Sequence, residues 1–221
     1  MSNARRPDVF VDMCTQRDYL LPDGAQPSLN APQITPALKH LMAFARWARV
    51  PTLSCVDVRR PNDVRGLPRP NCVLGTPGQQ KVPFSLLPDR VAIDSDNCLC
   101  VSLDILQGHQ QAILEKEHRD PFTNPKFDRL LTELPIRRFV VFGVGLETSV
   151  RLLVLGLLLR HRRVAVVFDA CGWWDAADGA MALRQLTAKG CELTSAEQLV
   201  ESTAPLYRRT GHHRYRPRSV A

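Results

Sequence analysis

The stretch that most constrains what this chain can fold into is residues 138–160, RFVVFGVGLETSVRLLVLGLLLR. Residues 139–142 form a short, unbroken apolar run stopped by glycine, the pattern of a strand buried on both faces. Gly143-Val144-Gly145 turns the chain, Glu147-Thr148-Ser149 supplies capping chemistry, and residues 150–159 read as a buried helix. A strand buried on both faces and followed by a helix belongs in a parallel sheet with helices on either side. In such a sheet ligands bind beyond the carboxyl ends of the strands, facing helix N-termini. Ser149 is therefore displayed where chemistry is best placed.

The same alternation extends along the chain. Residues 8–13 form a first strand with Asp12 near its carboxyl end, an expensive place for a charge unless it meets a cavity or a partner. Residues 19–32 are loop. Thr35-Pro36 caps a helix reaching about residue 49, and residues 50–56 form a second strand ending at Asp57. Residues 59–87, dense in proline and glycine, read as a loop that covers a site. Strands are expected at 91–93 and 112–115, the latter delivering Lys116, with a helical turn at 103–107 between them. Asn124-Pro125 opens a helix, 164–168 is a strand ending at Asp169, and 176–189 a helix. Residues 191–193 suit an edge strand, and Thr194-Ser195-Ala196-Glu197 a capping box for the last helix. The fold class is α/β with a central, mostly parallel sheet of five or six strands. Residues 1–206 make one domain, with no internal repeat.

Composition narrows the function classes. The longest strongly apolar run, 152–159, is far short of the roughly 20 residues that cross a bilayer, so no membrane partner is expected. No leader precedes the first strand, which makes a cytoplasmic protein the expectation. The seven cysteines are scattered without a C-x-x-C pair and read as buried packing residues in a reducing compartment. Of the formal charge of +7, five arginines from Arg208 onward, with no acid among them, carry all but +2. Residues 207–221 thus read as a basic, disordered tail, solvated or available to nucleic acid or an acidic partner.

Asp12, Lys116 and Ser149 all stand at carboxyl ends of expected central strands, so they can converge although far apart in sequence. An Asp12 carboxylate beside the Lys116 ammonium suits proton relay, and equally an ion pair that merely closes a cavity. Phe122, Trp173 and Trp174 read as pocket lining or as plain core, and Asp169 as a turn cap.

The order of motifs resembles a known family. FVDMCTQRDYL, ILEKEHRDPFTNPKFDRLL, FGVGLETSV and FDACGWWD, with NCVLGTPGQQKVP in the covering segment, look like the cysteine hydrolase superfamily of isochorismatase and nicotinamidase type. The resemblance spans residues 8–203 and implies a Rossmann-like three-layer fold, assembly into homo-oligomers, and an Asp–Lys–Cys triad. On that pattern Asp12 matches the acid/base, Lys116 the lysine, and Ser149 the nucleophilic cysteine. The family further implies a cis peptide at Val144-Gly145 and an oxyanion hole from the N–H groups of Gly145 and Ser149. Nicotinamidases of this type hold a metal with D-x-H and a further histidine. Here Asp57 keeps its place, whereas Arg59 and Asn71 stand for the histidines, so neither metal nor other cofactor is expected.

A serine hydroxyl cannot ionise as a cysteine thiol does, and no histidine stands beside Ser149 in the family pattern. Cys14 and Cys171, on the same rim, are candidate surrogate thiols. Two readings follow. One is a protein that binds a small molecule at an Asp–Lys–Ser pocket, with any activity a metal-free acid/base hydrolysis of a C–N or vinyl-ether bond. The other is a non-catalytic member that keeps the pocket for ligand sensing or its surface for assembly.

Overall fold

In a computed structural model that describes residues 7–208 apart from residues 95 and 97, seven strands form one sheet in which every pairing is parallel. They are β1 (Asp8–Met13), β2 (Thr52–Asp57), β3 (Arg90–Ile93), β4 (Gln111–Lys116), β5 (Arg138–Val144), β6 (Val164–Gly172) and β7 (Glu192–Thr194). Their spatial order is β3-β4-β2-β1-β5-β6-β7. Seven strands exceed the expected five or six because the short, half-exposed β3 and β7 both pair as edges. The basic tail expected beyond residue 207 lies almost wholly outside the described residues.

The helices are α1 (Arg17–Leu20), α2 (Ala31–Ala48), α3 (Ile105–Gly108), α4 (Pro125–Glu133), α5 (Arg151–Leu159), α6 (Ala176–Ala188) and α7 (Ala196–Arg208). Alternation along the strands sends Val9, Val11 and Met13 into one core layer with residues of α4, α5 and α6. Phe10, Val140 and Phe142 enter the other, against α2 and α7. Phe139 to Phe142 are fully buried, as a strand covered on both faces requires. No helix among the described residues is long and apolar enough to cross a membrane.

Three boundaries depart from the sequence reading, each for a local reason. Helix α2 starts at Ala31 rather than at the Thr35-Pro36 cap, because backbone turns from Ser28 and Asn30 already open it. The Asn30 side chain is spent elsewhere, accepting from the Trp173 N–H and donating to the Cys171 carbonyl, each at 3.0 Å. Strand β6 runs four residues past Phe168 because a bulge lets it re-pair, Cys171 against Gly143 and Gly172 against Val144. At the start of α7 the capping box is one residue later than expected. Ser195 Oγ accepts from the Gln198 N–H at 3.2 Å, while Gln198 Oε1 accepts from the Ser195 N–H at 3.3 Å.

Asp169, read as a turn cap, accepts from the Ala196 N–H at 2.9 Å and so caps α7 from the β6 bulge. Asp169→Ala is expected to cost about 1 kcal/mol, the usual loss of a capping carboxylate, measured as a shifted urea midpoint with unchanged slope.

Candidate active site

Asp12 continues the Phe10 row of β1 and points into the α2 layer. It is fully buried. Its Oδ2 accepts from Lys81 Nζ at 2.6 Å, Thr15 Oγ1 at 3.1 Å and Ser54 Oγ at 3.2 Å, and its Oδ1 is buried without a partner. Ser54 is the register neighbour of Asp12 on β2, and its hydroxyl in turn accepts from Gln111 Nε2 at 2.8 Å. Lys81 arrives from the covering segment, which pairs back on the chain after β1. Residues Gln16 and Lys81 form an antiparallel bridge, and the Val82 N–H donates to Thr15 O at 3.0 Å.

Lys116 continues the Ala112 and Leu114 row of β4, which faces the α4–α5 layer. The parallel register sets Asp57 directly beside it. Lys116 Nζ donates to Asp57 Oδ1, to Ser149 Oγ at 3.2 Å and to His118 O at 3.2 Å. Only 2% of Lys116 and 5% of Ser149 are exposed. Burial by itself would pull the Lys116 ammonium down. Its neighbours Cys14 and Asp57, the latter a carboxylate in direct hydrogen bond, outweigh it, so the net direction is up and the group stays protonated. Tyr19 OH donates to the other Asp57 oxygen at 2.6 Å, and burial with the Asp57 charge pushes this phenol upward, keeping it a donor.

The expected Asp12–Lys116 pair is therefore replaced by two pairs, Asp12–Lys81 and Asp57–Lys116. The reason is geometric. Strand β2 lies between β1 and β4, so Asp12 and Lys116 are two strands apart, roughly 10 Å. Asp12 is level with Ser54 and Ile113, three residues short of Lys116, and an odd offset turns the two side chains to opposite faces. Lys116 and Ser149 do meet; Asp12 does not join them.

The turn carrying Ser149 differs from expectation in two respects. All peptide bonds among the described residues are trans, Val144-Gly145 included, and Gly145 instead adopts φ +90°. Its N–H donates to Gly172 O at 3.0 Å, so it is not available to an oxyanion. Leu146–Val150 forms a π-helical turn with the Val150 N–H on Gly145 O at 2.9 Å, and Ser149 rides on this wide turn at the entrance to α5.

The aromatic residues separate as well. Trp174 packs edge-on to Tyr19, with ring centroids 5.3 Å apart, near the Asp57 side of the site. Phe122 lies against Gly156 of α5 beneath the Arg160 guanidinium, 3.9 Å from the ring centre, and Trp173 packs on Gly179 of α6. Neither surrogate thiol is activated. Burial is the main cause that raises both Cys14 and Cys171, and nearby Asp57 and Asp169 respectively add to it.

Two clefts border Lys116, and His118 and Glu117 line both. One, about 280 Å³, also has Asp57, Arg59, Asp63 and Arg119; the other, about 310 Å³, has Arg60, Asp96, Glu115 and Asn124, and Ser149 lines neither. Gln16 closes the opposite side. Its amide donates to the Asp57 and Gln79 carbonyls at 2.8 and 2.7 Å and accepts from the Asp57 N–H at 2.7 Å. One residue that sequence reasoning did not place, Lys81, the one lysine of the 59–87 segment, is thus central. Asp57, read from sequence as the remnant of a metal pattern, instead pairs with Lys116 through a strand order that no spacing in the chain reveals.

The family model for the isochorismatase domain matches residues 9–198. A search of curated proteins finds no match. Among solved structures, pyrazinamidase of Pyrococcus horikoshii in complex with zinc superposes with a TM-score of 0.68 at 22% identity, over 85% of this chain and 98% of that one. An isochorismatase family protein from Desulfovibrio vulgaris gives 0.69 at 19%, covering 90% and 100%. PnC1 from L. infantum, solved with nicotinate, gives 0.66 at 18%, covering 87% and 94%. These likenesses establish the fold, and the family match over most of the length makes the chain a member of the isochorismatase family.

Proposed function

We propose that this protein binds a small carbonyl- or carboxylate-bearing molecule at the Asp57–Lys116–Ser149 apex and does not hydrolyse amides through a covalent intermediate. The observation that carries this reading is the Lys116 ammonium, held charged between Asp57 and the Ser149 hydroxyl. As a cation it donates a hydrogen bond and cannot serve as the base that a serine nucleophile requires. With Ser149 standing where the family's cysteine belongs, the site keeps oxygen-binding donors and lacks a thiolate. Arg59 and Arg119 at the cleft stand beside Asp63 and Glu117, so its rim carries both signs and selection falls to the Lys116 ammonium.

The same residues do not fit the metal of the zinc-bound relative. Both Asp57 oxygens are engaged, by Lys116 and Tyr19, and Asn71 Nδ2 is turned to Gln26. One carboxylate beside an ammonium, with an amide and an arginine in place of histidines, is a donor set that repels a dication rather than holding it. Binding is accordingly read as metal-free.

Titration calorimetry with nicotinate and nicotinamide tests the reading. Saturable binding is expected, weakened at least ten-fold in Lys116→Met, with no ammonia released from nicotinamide. In Ser149→Cys, alkylation mapped to position 149 by mass spectrometry is expected, since a thiol beside a fixed ammonium ionises readily. An acyl adduct trapped on Ser149 of the natural protein would overturn the proposal.

A further inference from the structure

The edge of the sheet opposite the site gathers arginines. Arg137 and Arg138 lead into β5, and Arg162 and Arg163 lead into β6, so the parallel register sets all four at the amino-terminal edge. They line a depression of about 350 Å³ floored by Leu158 and Val164. Two carboxylates answer them. Asp8 accepts from two Arg137 nitrogens, Nε at 2.8 Å and Nη2 at 2.7 Å, and from Arg138 Nη2 at 3.0 Å. Glu192 takes Arg138 Nη1 at 2.8 Å. Arg162 donates to the Leu134 carbonyl and stacks over Phe139 at 5.4 Å, while Arg163 and the neighbouring Lys189 are exposed. Arg138 Nε is buried with no partner. Two acids against four guanidiniums leave the depression positive, and the pairs hold its inner arginines in fixed positions.

Both ends of the described chain arrive at this edge. The Arg137 N–H donates to Pro7 O at 2.9 Å, and the sequence before Pro7 carries Arg5-Arg6. Tyr207 lies within electrostatic reach of Asp8 and Arg137, and the sequence from Arg208 onward carries five arginines and no acid.

We infer that the amino-terminal sheet edge, centred on Arg138, Arg162 and Arg163, is a binding surface for the phosphodiester backbone of a nucleic acid. Four guanidiniums at one edge, with only two carboxylates to answer them, suit a polyanion that engages several positive charges at once. None of the described residues at this edge forms a pattern that reads base edges, so the binding is sequence-tolerant. The inference is independent of the ligand read at the carboxyl edge.

Fluorescence anisotropy of a labelled single-stranded RNA of mixed sequence, titrated with the full chain from 50 to 200 mM salt, tests it. Affinity is expected to fall linearly with salt on logarithmic axes. The double variant Arg162→Gln with Arg163→Gln is expected to weaken binding about ten-fold and to lower the slope by roughly 1.4, about 0.7 for each phosphate no longer neutralised on a single strand. Should Arg162→Gln unfold the chain, as a melting curve would reveal, Arg163→Gln with Lys189→Gln reads the same quantity. The inference is overturned if no RNA binds at 50 mM salt, or if the edge variants match the natural chain while truncation after Tyr207 alone abolishes binding. It is equally overturned if millimolar inorganic phosphate displaces the RNA fully, which marks a small-anion site, or if polyglutamate binds as tightly, which marks an acidic protein partner.

Discussion

Lys81→Met is expected to lower stability by about 3–5 kcal/mol, the cost of stripping one partner from a buried ion pair. The Lys81 side chain is 3% exposed and that of Asp12 0%, so water cannot replace the missing ammonium. The carboxylate would keep only the Thr15 and Ser54 hydroxyls, with Oδ1 still unpartnered. For a domain of this size each kcal/mol moves the melting temperature by about 2–4 °C, so a drop of roughly 6–20 °C should appear by calorimetry. Adding Asp12→Asn removes the stranded charge and should restore most of the loss, so the two changes are strongly non-additive. A single-variant loss below about 1 kcal/mol would mean that the pair is solvated and does not hold the covering segment.

Gly143→Ala should be comparably damaging, by at least about 3 kcal/mol, through the backbone rather than through charge. Gly143 sits in the middle of the sheet at φ +121°, and an added Cβ would lie 2.0 Å from the carbonyl oxygen of Met13, its register partner on β1. Neither strand can withdraw, because β1 and β5 are the central pair and are packed on both faces. Gly190→Ala supplies the control. It shares a positive φ of +90° but has open space around it, so only the conformational penalty of about 1 kcal/mol is expected. Chemical denaturation of the two variants side by side separates strain from collision; equal losses would remove the collision with Met13 as the cause.

Much of the architecture was written in local patterns. The apolar run at 139–142, the Asn124-Pro125 cap and the alternation of strands with helices each correspond to an observed element, because each depends on neighbours a few residues away. The Asn124 side chain accepts from the Lys126 and Phe127 N–H groups, as the cap-then-proline signal implies. The edge strands were harder, since β3 and β7 are short and half-exposed, with little hydrophobic pattern to mark them.

The site was legible only in part, for a different reason. Residue types at strand ends identified Asp12, Lys116 and Ser149, but which of them meet depends on strand order and on the parity of a three-residue offset. Neither quantity is local. A shift of β4 by one residue would have turned Lys116 toward the α2 layer. Lys81 escaped because its role comes from a loop folding back on the chain after β1, a pairing of sequence separation 69.

The three bonds made by the Gln16 side chain have a consequence for traffic. By stitching the end of β2 to Gln79, they make the segment above Asp57 a fixed roof rather than a hinged flap. Molecules bound for Lys116 then enter past His118 and Arg119, so bulky groups at those two positions would slow arrival and departure alike while leaving resting affinity nearly constant.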